Sequence, residues 1–170
     1  MALIRSLNKI HPQYDISCWF AENAVVIGDV KMGKECTVWY HAVIRGDVNS
    51  ISMGDRVNVQ DHAMIHCTYQ TAKTLIGSNV SIGHRAIVHG CTLEDNTLIG
   101  MGAIVMDHAV VQQGSIVAAG AVVVENTVVE SGYIYAGIPA RKIKPVGDRS
   151  AMIERIAGNY VKYAEWYQND

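Results

Sequence analysis

Leucine is scarce in this chain, with five residues against 21 valines and 18 isoleucines. Helical bundles favour leucine, whereas β-branched side chains favour strands, so most of the chain is read as short strands. An excess of one charge is also lacking. The formal net charge is −2 and charged residues make up 18%, which excludes the strong basic surplus of a nucleic-acid binder. Hydrophobic residues reach 49%, yet no run approaches the roughly 18 apolar residues of a membrane span. The segment Met1-Ala2-Leu3-Ile4-Arg5-Ser6 lacks the long apolar stretch and the cleavage site of a signal peptide, so the cytoplasm is the expected compartment. The four cysteines (Cys18, Cys36, Cys67, Cys91) form no C-x-x-C pair. That argues against a disulfide framework or a thiolate zinc site. Cys67 and Cys91 lie beside histidines and are read as small buried thiols. A length of 170 residues suits one domain.

What is present is a repeat. From Leu93 the chain divides into sixes: LEDNTL, IGMGAI, VMDHAV, VQQGSI, VAAGAV, VVENTV, VESGYI. Each opens with an aliphatic residue, and the fifth position is Thr, Ala or Ser until Tyr133. The same frame runs from Phe20 to Asn49, from Met53 to Thr68 and from Ile76 to Thr92. It slips by three extra residues near Ser50-Ile51-Ser52, by an insertion from Tyr69 to Leu75, and by one missing residue after Thr92. Each six reads as one short strand plus a corner. The first residue fills the core, the fifth must be small where walls converge, and glycine supplies corners. Three sixes close one coil of a three-sided prism. About eighteen sixes predict about six rungs, stacked at roughly 4.8 Å. The prism domain is expected to span 1–140, with repeats from about residue 20. Residues 141–170 are expected to form a linker and then a helix packing on the prism, with linker character already visible from Ile138 and lasting to Asp148. Ile153, Ile156, Tyr160, Tyr163 and Tyr167 fall at helical spacing, Asp148 or Ser150 offers a cap, and Gly158 is the weak point.

The histidines can be placed on this frame. His66 and His89 are each second in their six, at Ile65 and Val88. If the insertion after Tyr69 is a loop, the rung of 53, 59 and 65 lies under the rung of 76, 82 and 88. His66 and His89 then become vertical neighbours about 4.8 Å apart, close enough to share one metal ion. His84 stands third in its six, on the preceding wall, and reaches that ion only from a second chain in a threefold assembly. Three imidazoles with an open position form the zinc arrangement of a hydrolytic or hydrating site, in which bound water has a pKa of about 7. His11, His41, His62 and His108 lack such registration and are read as surface or interface residues.

The sixes resemble the hexapeptide-repeat proteins. The stretches IRGDV (44–48), NVQDHAMIH (58–66), SIGHRAIVHG (81–90) and IGMGAIVMD (99–107) resemble the γ-class carbonic anhydrases. That resemblance implies a mainly β fold, a left-handed parallel β-helix with a C-terminal helix, although parallel crossovers are generally right-handed. It also implies a homotrimer acting on carbon dioxide and bicarbonate, with Zn2+ as cofactor or Fe2+ or Co2+ in its place. His66, His84 and His89 match the metal ligands, with His84 donated by the adjacent subunit. Gln60 matches a residue that hydrogen-bonds bound water or bicarbonate. Arg45 and Asp61 match an ion pair across the subunit contact, and Tyr160 matches a helix residue near the metal. Asp47 completes an R-G-D sequence that is read as a prism corner. Two departures bear on proton export: Val48 and Tyr69 stand where the family carries glutamates, and the insertion to Leu75 holds no acid. A phenol with a pKa near 10 relays protons poorly at neutral pH, which leaves water, buffer or His62. The competing expectations are a metal-binding trimer without hydration activity and a hexapeptide acyltransferase, which uses one histidine and a coenzyme A cleft.

Overall fold

The computed structural model describes residues 1–168. Their sixes stack into a parallel β-solenoid of about 7 turns closed by one C-terminal helix. Two- and three-residue strands pair with their counterparts one rung on. Three inward columns fill the prism. One runs through Val26, Ile44, Ile65, Val88, Val105 and Val123, all fully buried. A second runs through Val38, Val59, Ile82, Ile99 and Val117, and a third through Met53, Ile76, Leu93, Val111 and Val129. The register across the Tyr69–Leu75 insertion is the one the repeat predicts: Met53 faces Ile76, Val59 faces Ile82, and Ile65 faces Val88.

The structure adds a turn that the repeat does not announce. Leu3–Arg5, Gln13–Tyr14 and Trp19–Phe20 pair in parallel with Val25–Ile27, Lys31–Met32 and Thr37–Val38. This first turn caps the prism, so Leu3 and Tyr14 are exposed and the aliphatic-first signature is lost. At the other end the expected linker is a strand. Arg141–Pro145 pairs antiparallel with Tyr133–Ala136 and covers the open edge of the last rung.

Most corners follow one rule, with Gly28 and Gly90, third in their sixes, as exceptions. The fourth residue of a six takes a left-handed backbone, whether it is Gly102, Gly114, Asn79, Asn96, His62 or Arg85. Asparagine and histidine tolerate that region better than most side chains, and glycine enters it freely. Glycine is therefore only one of several corner residues.

The helix Ser150–Gln168 lies along its own chain's Thr37–Val38, Asn58–Val59 and Ser81–Ile82 wall. Ile153 packs with Ile116 and Val146 near the late rungs. Tyr167 reaches Trp19 and Trp39 near the early ones, with ring centroids 5.5 and 5.6 Å apart. A helix rising about 1.5 Å per residue descends here past rungs spaced about 4.8 Å apart. A 3₁₀ turn, Gly147–Arg149, leads into it without a side-chain cap. Among the described residues, none of the chain's helix lies over a second wall. Its outward residues Val43, Met64, Ile87, Ile104 and Val122 form an aliphatic ladder, all partly exposed. Among the described residues no helix is long and apolar enough to cross a membrane.

Candidate metal centre

The strands Met64–His66 and Ile87–His89 are direct neighbours, and His66 sits opposite His89. Their rings meet through His66 Nδ1 and His89 Nε2 at 3.1 Å. Each ring is fixed from behind by a carboxylate. Asp47 Oδ1 lies 2.9 Å from His66 Nε2, and Asp107 Oδ1 lies 2.6 Å from His89 Nδ1. Carboxylates accept, so this network assigns the ring protons to His66 Nε2 and His89 Nδ1. The two nitrogens that face each other then both present lone pairs. Two neutral rings so oriented repel unless a cation lies between them, either a metal ion or a proton shared as N–H···N. Two imidazoles at 2.0–2.1 Å in a tetrahedral metal shell would hold their nitrogens about 3.4 Å apart, within a few tenths of an ångström of what stands here. The donor set therefore fits a metal, and the carboxylate–histidine pairs are the usual backing of such ligands.

Local sequence explains how both carboxylates arrive. Gly28 pairs with Gly46 and Val30 with Ile51, so a two-residue step on one strand faces a five-residue step on the next. The three extra residues make a bulge that swings Asp47 over His66. Arg45 holds the other oxygen of Asp47. Burial pushes the Asp47 carboxyl up, but the hydrogen bonds from His66 and Arg45 outweigh it and hold the group below the usual carboxylate range. Asp107 behaves alike: burial raises it, and bonds from Thr68 and His89 lower it further. Thr68 donates its hydroxyl to Asp107 Oδ2. Gly90 makes room for that carboxylate. It has a φ of +53°, and a Cβ there would lie 2.3 Å from Asp107 Oδ1.

A second group forms on another corner. His84 follows the strand Ser81–Ile82 and holds Asp61 Oδ2 at 2.8 Å through Nδ1. Its backbone N–H donates to Gln60 Oε1 at 3.2 Å. Gln60 in turn donates to Asn58 Oδ1 at 3.0 Å, and Asn58 donates to Ser81 Oγ at 2.7 Å, which fixes the orientation of the buried amide. Tyr160, His84 and Asp61 line one cleft with Trp39. Burial, then the Asp61 charge, pushes the Tyr160 phenol up to about 12.

The candidate residues thus separate into two patches within the chain. His66, His89 and Arg45 stand on one, and Gln60, Asp61, His84 and Tyr160 on the other. Arg45 and Asp61 do not pair with each other inside the chain. Among the described residues no three His, Cys, Asp or Glu side chains converge as a metal group. The sequence reading overlooked Thr68 and Asp107 and took Asp47 only for a corner. The signal available was the stacking itself, because Asp107 follows the residue directly above His89. His41 and His62 are registered after all. Both are fourth in their six, and their rings stack at 4.8 Å and 13°. Cys67 and Cys91 are buried, and burial pushes the Cys91 thiol up to about 12.

No family model matches the chain. Among curated proteins it is 44% identical to a probable carbonic anhydrase of Methanocaldococcus jannaschii, a match covering 85% of this chain and 91% of that protein. It is 40% identical to the mitochondrial gamma carbonic anhydrase 2 of Arabidopsis thaliana over 94% of its length. It spans only 59% of that plant protein. Among solved structures, a hexapeptide transferase family protein from Anaplasma phagocytophilum superposes with a TM-score of 0.93 at 37% identity, covering 97% of this chain and 98% of that one. The solenoid thus matches the left-handed β-helix of hexapeptide proteins.

Proposed function

Because the chain belongs to the γ-class carbonic anhydrase family of hexapeptide-repeat proteins, we propose that it is a cytoplasmic homotrimer that reversibly hydrates carbon dioxide to bicarbonate at a metal site shared between subunits. In this reading His66 and His89 of one protomer and His84 of the next hold the metal. Zinc, iron and cobalt all suit imidazole ligands. The chemistry the metal supplies is Lewis acidity, which brings the pKa of water to about 7.

The chain's own residues do the rest. Asp47, Asp107 and Asp61 each accept the N–H of one histidine and leave the opposite ring nitrogen free as a ligand. Gln60 is held by Asn58 through one amide hydrogen, and its second N–H is available to the oxygen of bicarbonate. Arg45 bonds Asp47 in one protomer and, across the contact, reaches Asp61 of the next. Tyr160 closes the site beside His84 and stays protonated at neutral pH. The ladder of Val43, Met64, Ile87, Ile104 and Val122 supports a contact between protomers, since an aliphatic wall of this length is seldom left to water.

The observation that carries this reading is the pair of facing ring nitrogens of His66 and His89, 3.1 Å apart, each ring backed by a carboxylate. Stopped-flow hydration of carbon dioxide by metal-loaded protein tests it, with His84→Ala as the control. Rates above the buffer blank that vanish in the variant support it, and rates equal to the blank contradict it.

One observation favours a second reading. Each hydration releases a proton, and the position that carries a glutamate in the resembling enzymes is Tyr69, exposed and bonded to Gln70 Nε2 at 2.9 Å. A metal-binding trimer without hydration activity would show stoichiometric metal and no rate. Tight binding of coenzyme A would favour an acyltransferase instead.

A further inference from the structure

The second patch does not end at His84. A cleft of about 400 Å³ opens there between the wall and the C-terminal helix. Register gives its course. Gly83 faces Gln60 one rung below and Gly100 one rung above. Met101 stands over His84, and Ala119 over Met101. From Gln60 to Ala119 the cleft climbs three rung steps, about 14 Å at the inter-strand spacing. Gly83 and Gly100 let the rungs under the cleft stack closely, since a Cβ on either would meet the backbone of the next rung, and Ile156, Tyr160 and Tyr163 form the opposite side.

The two ends differ in chemistry. Gln60 and His84 sit at the lower end, with an amide N–H to spare on Gln60. Above them Leu98, Met101, Ala119 and Ile156 line the cleft, and Asn159 is the polar exception. Carbon dioxide is three atoms, whereas clefts that seat organic ligands run to about 300–1,000 Å³. A polar head beside His84 with an apolar track leading from it matches a molecule built the same way.

We propose that this cleft seats an unbranched acyl tail, so that the centre takes monocarboxylates of several carbons bound head-first. The carboxylate occupies the place of bicarbonate beside Gln60 and His84, and the tail lies along Met101 toward Ala119. This inference rests on the metal reading above, because the head is held where that reading places bicarbonate.

Isothermal calorimetry on the metal-loaded trimer tests it with acetate, butanoate and hexanoate. The expected result is an affinity rising about fourfold per added methylene, the transfer value of a buried CH₂. Ala119→Trp, at the apolar end, removes the gain from butanoate to hexanoate and leaves acetate unchanged. Acetate binding with no dependence on chain length overturns the inference while leaving the metal site intact. Hexanoate binding equally well to His84→Ala overturns the placement of the head. Failure of all three acids to bind overturns both this inference and the anion-binding role given to Gln60.

Discussion

At the scale of the residue, the proposed centre draws on three histidines, each oriented by one carboxylate. Asp107 is the most constrained of these. It takes the His89 N–H, the Thr68 hydroxyl and the space left by Gly90. Asp107→Asn keeps the shape but lets the amide donate to His89 Nδ1, which favours the wrong tautomer. Loss of such an outer partner typically weakens metal binding about 10- to 100-fold, and a chelator competition titration reads that directly. Unchanged affinity would leave Asp107 a purely structural role. Tyr160 gives a second test at this scale. Its phenol is raised from 10.0 to about 12, so the stability it contributes is complete below pH 10 and is lost as pH rises toward 12. Thermal melts of the wild type should fall across that window, and those of Tyr160→Phe should fall less.

At the scale of the element, the corner and the helix carry separate predictions. Gly90→Ala places a methyl group against the Asp107 carboxylate at a left-handed φ. It should cost about 1–3 kcal/mol in urea unfolding and displace the support of His89. Gly158 is different, because a Cβ there meets nothing within 4 Å. Gly158→Ala should stabilise the helix by about 1 kcal/mol and raise the melting temperature. Elements also show what the sequence makes legible. The His66–His89 register is readable because side chains in strands have a fixed period, and an insertion of any length leaves that period intact on either side. Stacking gives the rung of Asp107, but the directions of the Asp47 and Asp107 side chains are not readable in that way. One lies in a bulge and the other at a corner, where side-chain direction depends on local backbone. The first turn escapes for a related reason. As an end cap it exposes Leu3 and Tyr14 and needs no aliphatic-first pattern.

At the scale of the whole molecule, the chain carries two separate patches of candidate residues and an aliphatic wall that is partly exposed. These fit together if the wall is the subunit contact. Ile87→Glu, in the centre of that wall, should then dissociate the assembly and release the metal together, as native mass spectrometry would record. Dissociation with metal retained would separate the two properties. The most direct test mixes His84→Ala and His66→Ala protomers by denaturation and refolding, then measures metal per assembly. Each homotrimer lacks every complete site, whereas any mixed trimer rebuilds one interface with all three histidines intact. The account predicts no bound metal in either parent and one ion in each mixed trimer. Full metal content in the His84→Ala parent, or none in the mixed trimers, would contradict it.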